Sequence, residues 1–193
     1  MSLAVGLALL AQAGTPTMAQ HQHRAGSAGE PRSDSIYELS VALVDQHGRA
    51  VGLDVYRGHP VLISMFYSTC RDACPLLIAD LKRIERDLPP AGRARVRVVL
   101  VSFDPEHDTP AVLEELARAH GLDASRWRLL RGSDDTVREV AAVLGIRYRR
   151  LPDGGFNHSS VITLLDASGV VLARVEGLGQ PLDVFRERLK AGR

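Results

Sequence analysis

Apolar and polar positions change their period several times along this 193-residue chain, and each change marks an element. Met1 to Ala19 carries no charge and holds an apolar run from Leu3 to Leu10, followed by the small-x-small triplets Ala11-Gln12-Ala13 and Thr17-Met18-Ala19. So short a run resembles a secretory h-region more than a spanning helix, which needs about 20 apolar residues. Residues 1–19 therefore read as a signal peptide or, if retained, a membrane anchor, although the usual basic n-region is missing. Residues 20–34 are polar, with Gly, Ser, His and Pro, and cannot bury enough surface to offset their ordering entropy. They read as a flexible tether. Residues 35–193 are long enough for one core and short for two, so a single domain is expected.

Within that domain, Leu39, Val41 and Leu43 alternate with Ser40, Ala42 and Val44, and Asp45-Gln46-His47-Gly48 supplies turn chemistry. A strand and hairpin are predicted there. Val61 to Phe66 is continuously apolar, as a strand buried on both faces requires. Leu77, Leu81, Ile84 and Leu88 recur at helical spacing until Pro89-Pro90 interrupts them. Val96 to Phe103 repeats the buried-strand pattern. Thr109-Pro110 then offers an N-cap and a first helical position for a face of Leu113, Leu116, Ala117 and His120, stopped by Gly121. Trp127 to Leu130 predicts a short strand. Ser133 or Asp134 caps a helix with Val137, Val140, Ala141 and Leu144 inward, closed by Gly145. Val161 to Leu165 and Val170 to Val175 form a hairpin about Asp166 to Gly169, and Pro181 begins a last helix with Leu182, Phe185 and Leu189 inward. Strands alternating with helices, then a hairpin and a helix, predict an α/β fold: a mixed sheet with helices on both faces.

Composition narrows the function. Lys+Arg is 24 against Asp+Glu 23, and no basic stripe interleaved with aromatics occurs, so nucleic acid is not an expected partner. The only cysteines, Cys70 and Cys74, stand where the Val61–Phe66 strand hands over to a helix. A helix N-terminus favours negative charge, hence thiolates. In a first helical turn, residues four apart share a face, about 5.4 Å apart in rise. That suits a disulfide, with Cα atoms about 4.4–6.8 Å apart, and equally two thiolates on one metal. Spacing alone leaves a redox dithiol, half of a soft-metal site and a structural bridge open, though a bridge over so short a loop gains little.

Three segments go further. Tyr67-Ser68-Thr69-Cys70-Arg71-Asp72-Ala73-Cys74-Pro75, Ser102-Phe103-Asp104-Pro105-Glu106-His107-Asp108-Thr109-Pro110, and Asn157-His158-Ser159 with the following strand and Asp166 resemble, in order, the three signature regions of the SCO/SenC family. Members are exported or membrane-anchored thioredoxin-like proteins that bind copper and help build the binuclear copper centre of cytochrome c oxidase. The resemblance implies a thioredoxin-like domain over residues 35–193, with Cys70 and Cys74 as sulfur ligands and His158 as an imidazole ligand of a copper ion. Softness agrees, since thiolates select Cu(I) and imidazole suits copper generally. It also implies a copper-acceptor subunit of the oxidase as partner; the apolar leader predicts a periplasmic place, free or anchored near the membrane, and in that oxidising compartment the Cys70–Cys74 spacing permits a disulfide, so an exported thiol reductant is expected as a second partner. Asp104 and Asp108 fall near the copper loop; their own chemistry reads as turn and capping carboxylates, and neither is taken as a ligand. His107 in the same loop, and His21 and His23 in the tether, read as histidines that bind metal adventitiously at most and are left outside the site.

Arg71 stands where members of that family often carry proline, and a guanidinium beside Cys70 is expected to stabilise its thiolate. A metallochaperone, which is not an enzyme, is the first reading. A thiol-disulfide oxidoreductase or redox sensor acting through Cys70 and Cys74 on the acceptor's cysteines is the second, and a zinc site with an open position is a third. Thioredoxin-like oxidoreductases hold a cis-proline facing their dithiol; here Phe156-Asn157-His158-Ser159 stands in that region, which favours metal over disulfide exchange.

Overall fold

Alternating side-chain directions along the buried strands divide the core in two. The computed structural model describes residues 34–191, so the leader at 1–19 and all of the tether but Asp34 lie outside the described residues. In chain order the strands and α-helices are β1 (Leu43–Asp45), β2 (Ala50–Val51), β3 (Val61–Phe66), α1 (Ala73–Arg86), α2 (Pro90–Arg95), β4 (Arg97–Ser102) and α3 (Pro110–Ala119). They continue with β5 (Trp127–Gly132), α4 (Asp134–Leu144), β6 (Tyr148–Arg150), β7 (Phe156–His158), β8 (Val161–Leu165), β9 (Val171–Glu176) and α5 (Asp183–Ala191). On β3, Val61, Ile63 and Met65 face one layer while Leu62 and Phe66 face the other. On β4, Val99 and Val101 oppose Val98 and Leu100 in the same way. The first layer packs under α4 through Val137, Val140, Ala141 and Leu144; the second packs under α1, α3 and α5 through residues such as Leu77, Leu113 and Phe185. Helices thus cover both faces, as the continuous apolar runs demand.

Seven strands form one sheet in the order β2-β1-β5-β4-β3-β8-β9. β3, β4 and β5 are parallel, whereas β8 runs antiparallel to β3 with Val61 opposite Leu165 and Ile63 opposite Thr163. This mixed register is what positions the site. The exits of β3 and β4 and the entry to β8 all fall at one end of the sheet, so the loops carrying Cys70, Asp104 and His158 converge there. It is the end at which open α/β sheets place their sites.

The caps follow the sequence closely. Thr109 Oγ1 accepts from Val112 N–H, Ser133 Oγ accepts from Thr136 N–H, and Gly145 closes α4 at φ 65°, a left-handed conformation suited to glycine. Four elements differ from the sequence expectation. The opening strand is only three residues, the length that pairs with β2 and β5, and it is preceded by a 3-10 turn at Ile36–Glu38 that starts where Ser35 Oγ accepts from Tyr37 N–H. A second 3-10 turn occupies Leu53–Tyr56. α1 ends at Arg86 just ahead of Pro89-Pro90, as expected, but Pro90 also opens an unpredicted helix, α2, at whose first turn its missing N–H costs no bond. The hairpin β6–β7, with Tyr148 opposite His158, was not predicted, since three-residue strands are too short for alternation to register. Among the described residues no helix is long and apolar enough to cross a membrane.

Candidate metal centre

β3 delivers the chain from the core, and the two cysteines follow in different roles. Cys70 lies in the loop before α1, not within its first turn as the spacing argument assumed, while Cys74 is the second residue of the helix and buried. Asp72, the N-cap residue, makes no side-chain cap bond. Its place is taken by sulfur: Cys74 N–H donates to Cys70 Sγ at 3.3 Å. Both thiols are free. His158 arrives from the other side on β7, and one ring nitrogen, Cys70 Sγ and Cys74 Sγ all lie within 4.8 Å of one another. For bonds of about 2.3 Å to sulfur and about 2.0 Å to nitrogen, that spacing accommodates one metal ion with small adjustment. The structure thus brings together the three side chains singled out from the sequence.

Aromatic rings hold the imidazole in place. His158 meets Phe103 at 4.9 Å between ring centroids and Tyr67 edge-to-face at 5.9 Å. Phe156 packs on Tyr67 at 5.0 Å, and Tyr148 packs on Phe103 at 5.0 Å. Each of these residues directly follows a buried strand or sits in the β6–β7 hairpin, so the cluster stitches that hairpin to the ends of β3 and β4. Sequence reasoning missed it. The only available signal was an aromatic residue just past each apolar run, Tyr67 after β3 and Phe103 after β4.

Asp104 and Asp108 are buried, at 2% and 0% exposure, and they hold the two halves of the site from one loop. Asp108 accepts from Ser68 N–H at 3.1–3.2 Å and from Ser102 Oγ–H, which fixes the start of the cysteine loop. Asp104 accepts from Arg150 Nη2 at 3.1 Å and bonds His107 Nδ1 at 2.8 Å; the Arg150 guanidinium also lies over the Phe156 ring at 4.9 Å. Both carboxylates are positioning groups, and their side chains bond Ser68, Ser102, Arg150 and His107 rather than their own turn backbone, the bonding expected from the sequence. Asp104, Glu106 and His107 are themselves close enough to hold a cation. Arg150 already pairs with both carboxylates, at 3.1 Å and 3.8 Å, and supplies the charge a cation would bring.

Electrostatics separates the two thiols. Partial burial opposes the Cys70 thiolate, but hydrogen bonds from the Cys74 thiol and from the N–H groups of Cys74, Ala73 and Asp72 outweigh it, and the pKa falls below that of an ordinary cysteine. The helix N-terminus does chiefly what was expected of Arg71, whose side chain is exposed. Burial pushes the Cys74 thiol strongly upward, reinforced by Cys70 and the Asp108 charge. Burial lowers His158, so its imidazole is neutral at pH 7. Its Nδ1 lies 3.3 Å from the Ser159 carbonyl, which can only accept; Nδ1 carries the proton and Nε2 keeps a free lone pair.

A thioredoxin-like sheet presenting a cysteine pair to a histidine across a three-loop cleft defines the class. The SCO1/SenC family model matches residues 30–190, and the chain belongs to that family. It is 28% identical over 137 residues to the SCO1 protein homolog of Bacillus subtilis, covering 69% of this chain and 70% of that protein. Among solved structures, Bradyrhizobium japonicum ScoI with copper bound is 25% identical with a TM-score of 0.63, over 79% of this chain and 97% of that one. BsSco, a member of the Sco family of cytochrome c oxidase assembly proteins in which a disulfide switch was identified, is 25% identical with a TM-score of 0.69, over 85% and 98%.

Two outcomes follow from this geometry. Alkylation at limiting iodoacetamide should modify Cys70 well before Cys74, with a rate that rises with pH through a midpoint below that of an unperturbed thiol, because the thiolate reacts and only Cys70 has its thiolate stabilised. Peptide mapping by mass spectrometry across pH 5–9 checks it; equal labelling would contradict the assignment. Asp108→Ala should lower stability by about 1–3 kcal/mol, the cost of stripping buried donors of their acceptor, and speed amide exchange at Ser68. Denaturant titration with hydrogen exchange measures both.

Proposed function

We propose that this protein is a copper metallochaperone, binding one copper ion through Cys70, Cys74 and His158 and passing it to the copper-acceptor subunit of cytochrome c oxidase. The observation that carries the reading is the convergence of two thiol sulfurs and an imidazole nitrogen within 4.8 Å in a chain of the SCO1/SenC family. Two soft sulfurs suit Cu(I), and a nitrogen ligand suits copper in either oxidation state. Three protein donors leave a coordination position at which an incoming ligand of the acceptor can bind before the chaperone's own ligands let go. Copper bound to the Bradyrhizobium relative supports the choice of metal, and the assembly role described for BsSco supports the choice of partner. The working site is proposed to lie outside the cytoplasm, in the periplasm or tethered to its membrane, in line with the apolar leader.

A second reading, thiol-disulfide exchange with the acceptor's cysteines, draws on one specific observation. A low-pKa, half-exposed Cys70 beside a buried, high-pKa Cys74 is the asymmetry of an attacking thiolate and a resolving thiol. Either role requires a reduced pair, which in an oxidising compartment calls for a separate exported reductant.

His158→Ala separates the two, because it removes a nitrogen ligand and leaves both sulfurs and α1 in place. A chaperone should lose copper affinity and oxidase activity together at low copper, while thiol titration still shows a dithiol that cycles. Normal oxidase activity with lost copper binding would reject the chaperone reading. In the wild type, X-ray absorption should find about one copper with two sulfurs and one nitrogen, and Cys70→Ala or Cys74→Ala should each abolish stable binding. The Cys70–Cys74 disulfide form should fail to take up Cu(I) until reduced, since a disulfide offers no thiolate; equal loading of oxidised protein, followed by metal analysis after gel filtration, would show the reductant to be unnecessary.

A further inference from the structure

A cavity of about 400 Å³ opens at the end of the sheet away from the thiols, and nothing in the proposed copper chemistry uses it. Its size falls within the range of about 300–1,000 Å³ typical of ligand sites. Leu88 and Val96, both buried in the core, line it together with Leu189 and the partly exposed Leu172. Arg95, Arg188 and Lys190, all exposed, line it as well. Asp166 is the one acid among its lining residues, and Asp166 Oδ1 is turned into the β8–β9 turn, accepting from Ser168 N–H, Ser168 Oγ–H and Val170 N–H. An apolar hollow bordered by three basic side chains complements an amphiphile with an anionic head.

Position supplies a second argument. Pro60, another lining residue, immediately precedes β3, whereas Cys70 follows the end of that strand. Six residues at about 3.3 Å each put the cavity and the thiols roughly 20 Å apart, at opposite ends of one strand. The chain also enters at the cavity end: Ser35 Oγ donates to the Ser168 carbonyl at 2.5 Å, Ile36 N–H donates to the Gly169 carbonyl at 3.0 Å, and Ser168 lines the cavity.

We propose that this cavity and its basic residues form a binding site for an anionic phospholipid, by which the domain rests on a membrane surface with the thiol pair facing away from it. Basic side chains near an anionic leaflet each add measurable attraction, and the hollow admits part of one lipid's glycerol and acyl region. Copper chemistry does not enter the argument, so the site stands or falls independently of the metal assignment.

The test uses the full chain and dihexanoyl phosphatidylglycerol kept below its micelle concentration, with dihexanoyl phosphatidylcholine as the neutral-headgroup control. Expected amide shifts cluster at Leu88, Val96, Leu172 and Leu189, with the glycerol lipid bound at least about tenfold more tightly than the choline lipid. Arg95→Glu with Arg188→Glu, both at exposed positions, should reduce phosphatidylglycerol affinity at least about tenfold without altering the amide pattern of the core. Leu172→Glu, which places a charge in the apolar wall, should abolish the shifts. Shifts scattered over the surface, equal affinity for the two lipids, or undiminished binding by the charge-reversed variant would overturn the proposal. So would absence of any shift, the result expected if the chain's own leader fills the hollow.

Discussion

Two buried carboxylates on one loop carry the geometry of this domain's site. Asp104 and Asp108 follow the exit of β4, and each reaches a different neighbour: Asp108 the backbone of the cysteine loop at Ser68, Asp104 the Arg150 guanidinium of the β6–β7 hairpin. A carboxylate buried to 2% exposure or less costs several kcal/mol in lost hydration unless it is paired or hydrogen-bonded. That cost makes the arrangement specific. A shift of either neighbour would strip a buried carboxylate of one of its donors, so the cysteine loop and the histidine-bearing hairpin are both referenced to the same short turn.

On that frame, a helix terminus and a set of rings tune the three converging side chains differently. Cys70 uses the N–H groups that α1 leaves unpaired and is held partly as a thiolate; Cys74, inside the helix and the core, is held as a thiol. His158 is kept neutral by burial among aromatic rings, its Nδ1 proton directed to the Ser159 carbonyl. The Cys70 sulfur is therefore poised toward an electrophile or a soft metal, and Cys74 would have to lose its proton to act as a ligand in the proposed site. The same asymmetry serves metal capture and thiol exchange, which is why the histidine, rather than either cysteine, discriminates between them.

The sheet separates what happens at its two ends. The thiols and imidazole collect where β3 and β4 finish, and the cavity with its basic lining lies where they begin. The proposed lipid site and the proposed metal site therefore occupy opposite ends of one small domain.

Much of this was legible along the chain. The continuous apolar runs of β3 and β4, the helical spacing of Leu77, Leu81 and Ile84, and the Thr109-Pro110 and Ser133 caps specify their elements locally, since period and capping act within a few residues. Cys70 and Cys74 declared themselves by their place between strand and helix, and His158 only by its motif, because a lone histidine has no local signature. Tertiary structure alone decided the rest. Antiparallel pairing of β8 with β3 brings residue 158 across from residues 70 and 74, and that pairing is a contact between segments about a hundred residues apart. The aromatic clamp, the two roles of Asp104 and Asp108, and the replacement of Arg71 by a helix terminus as the chief support of the Cys70 thiolate are likewise products of long-range packing. Hydrogen-bond donors, ring faces and burial act through space, and the sequence lists the groups without saying which of them meet.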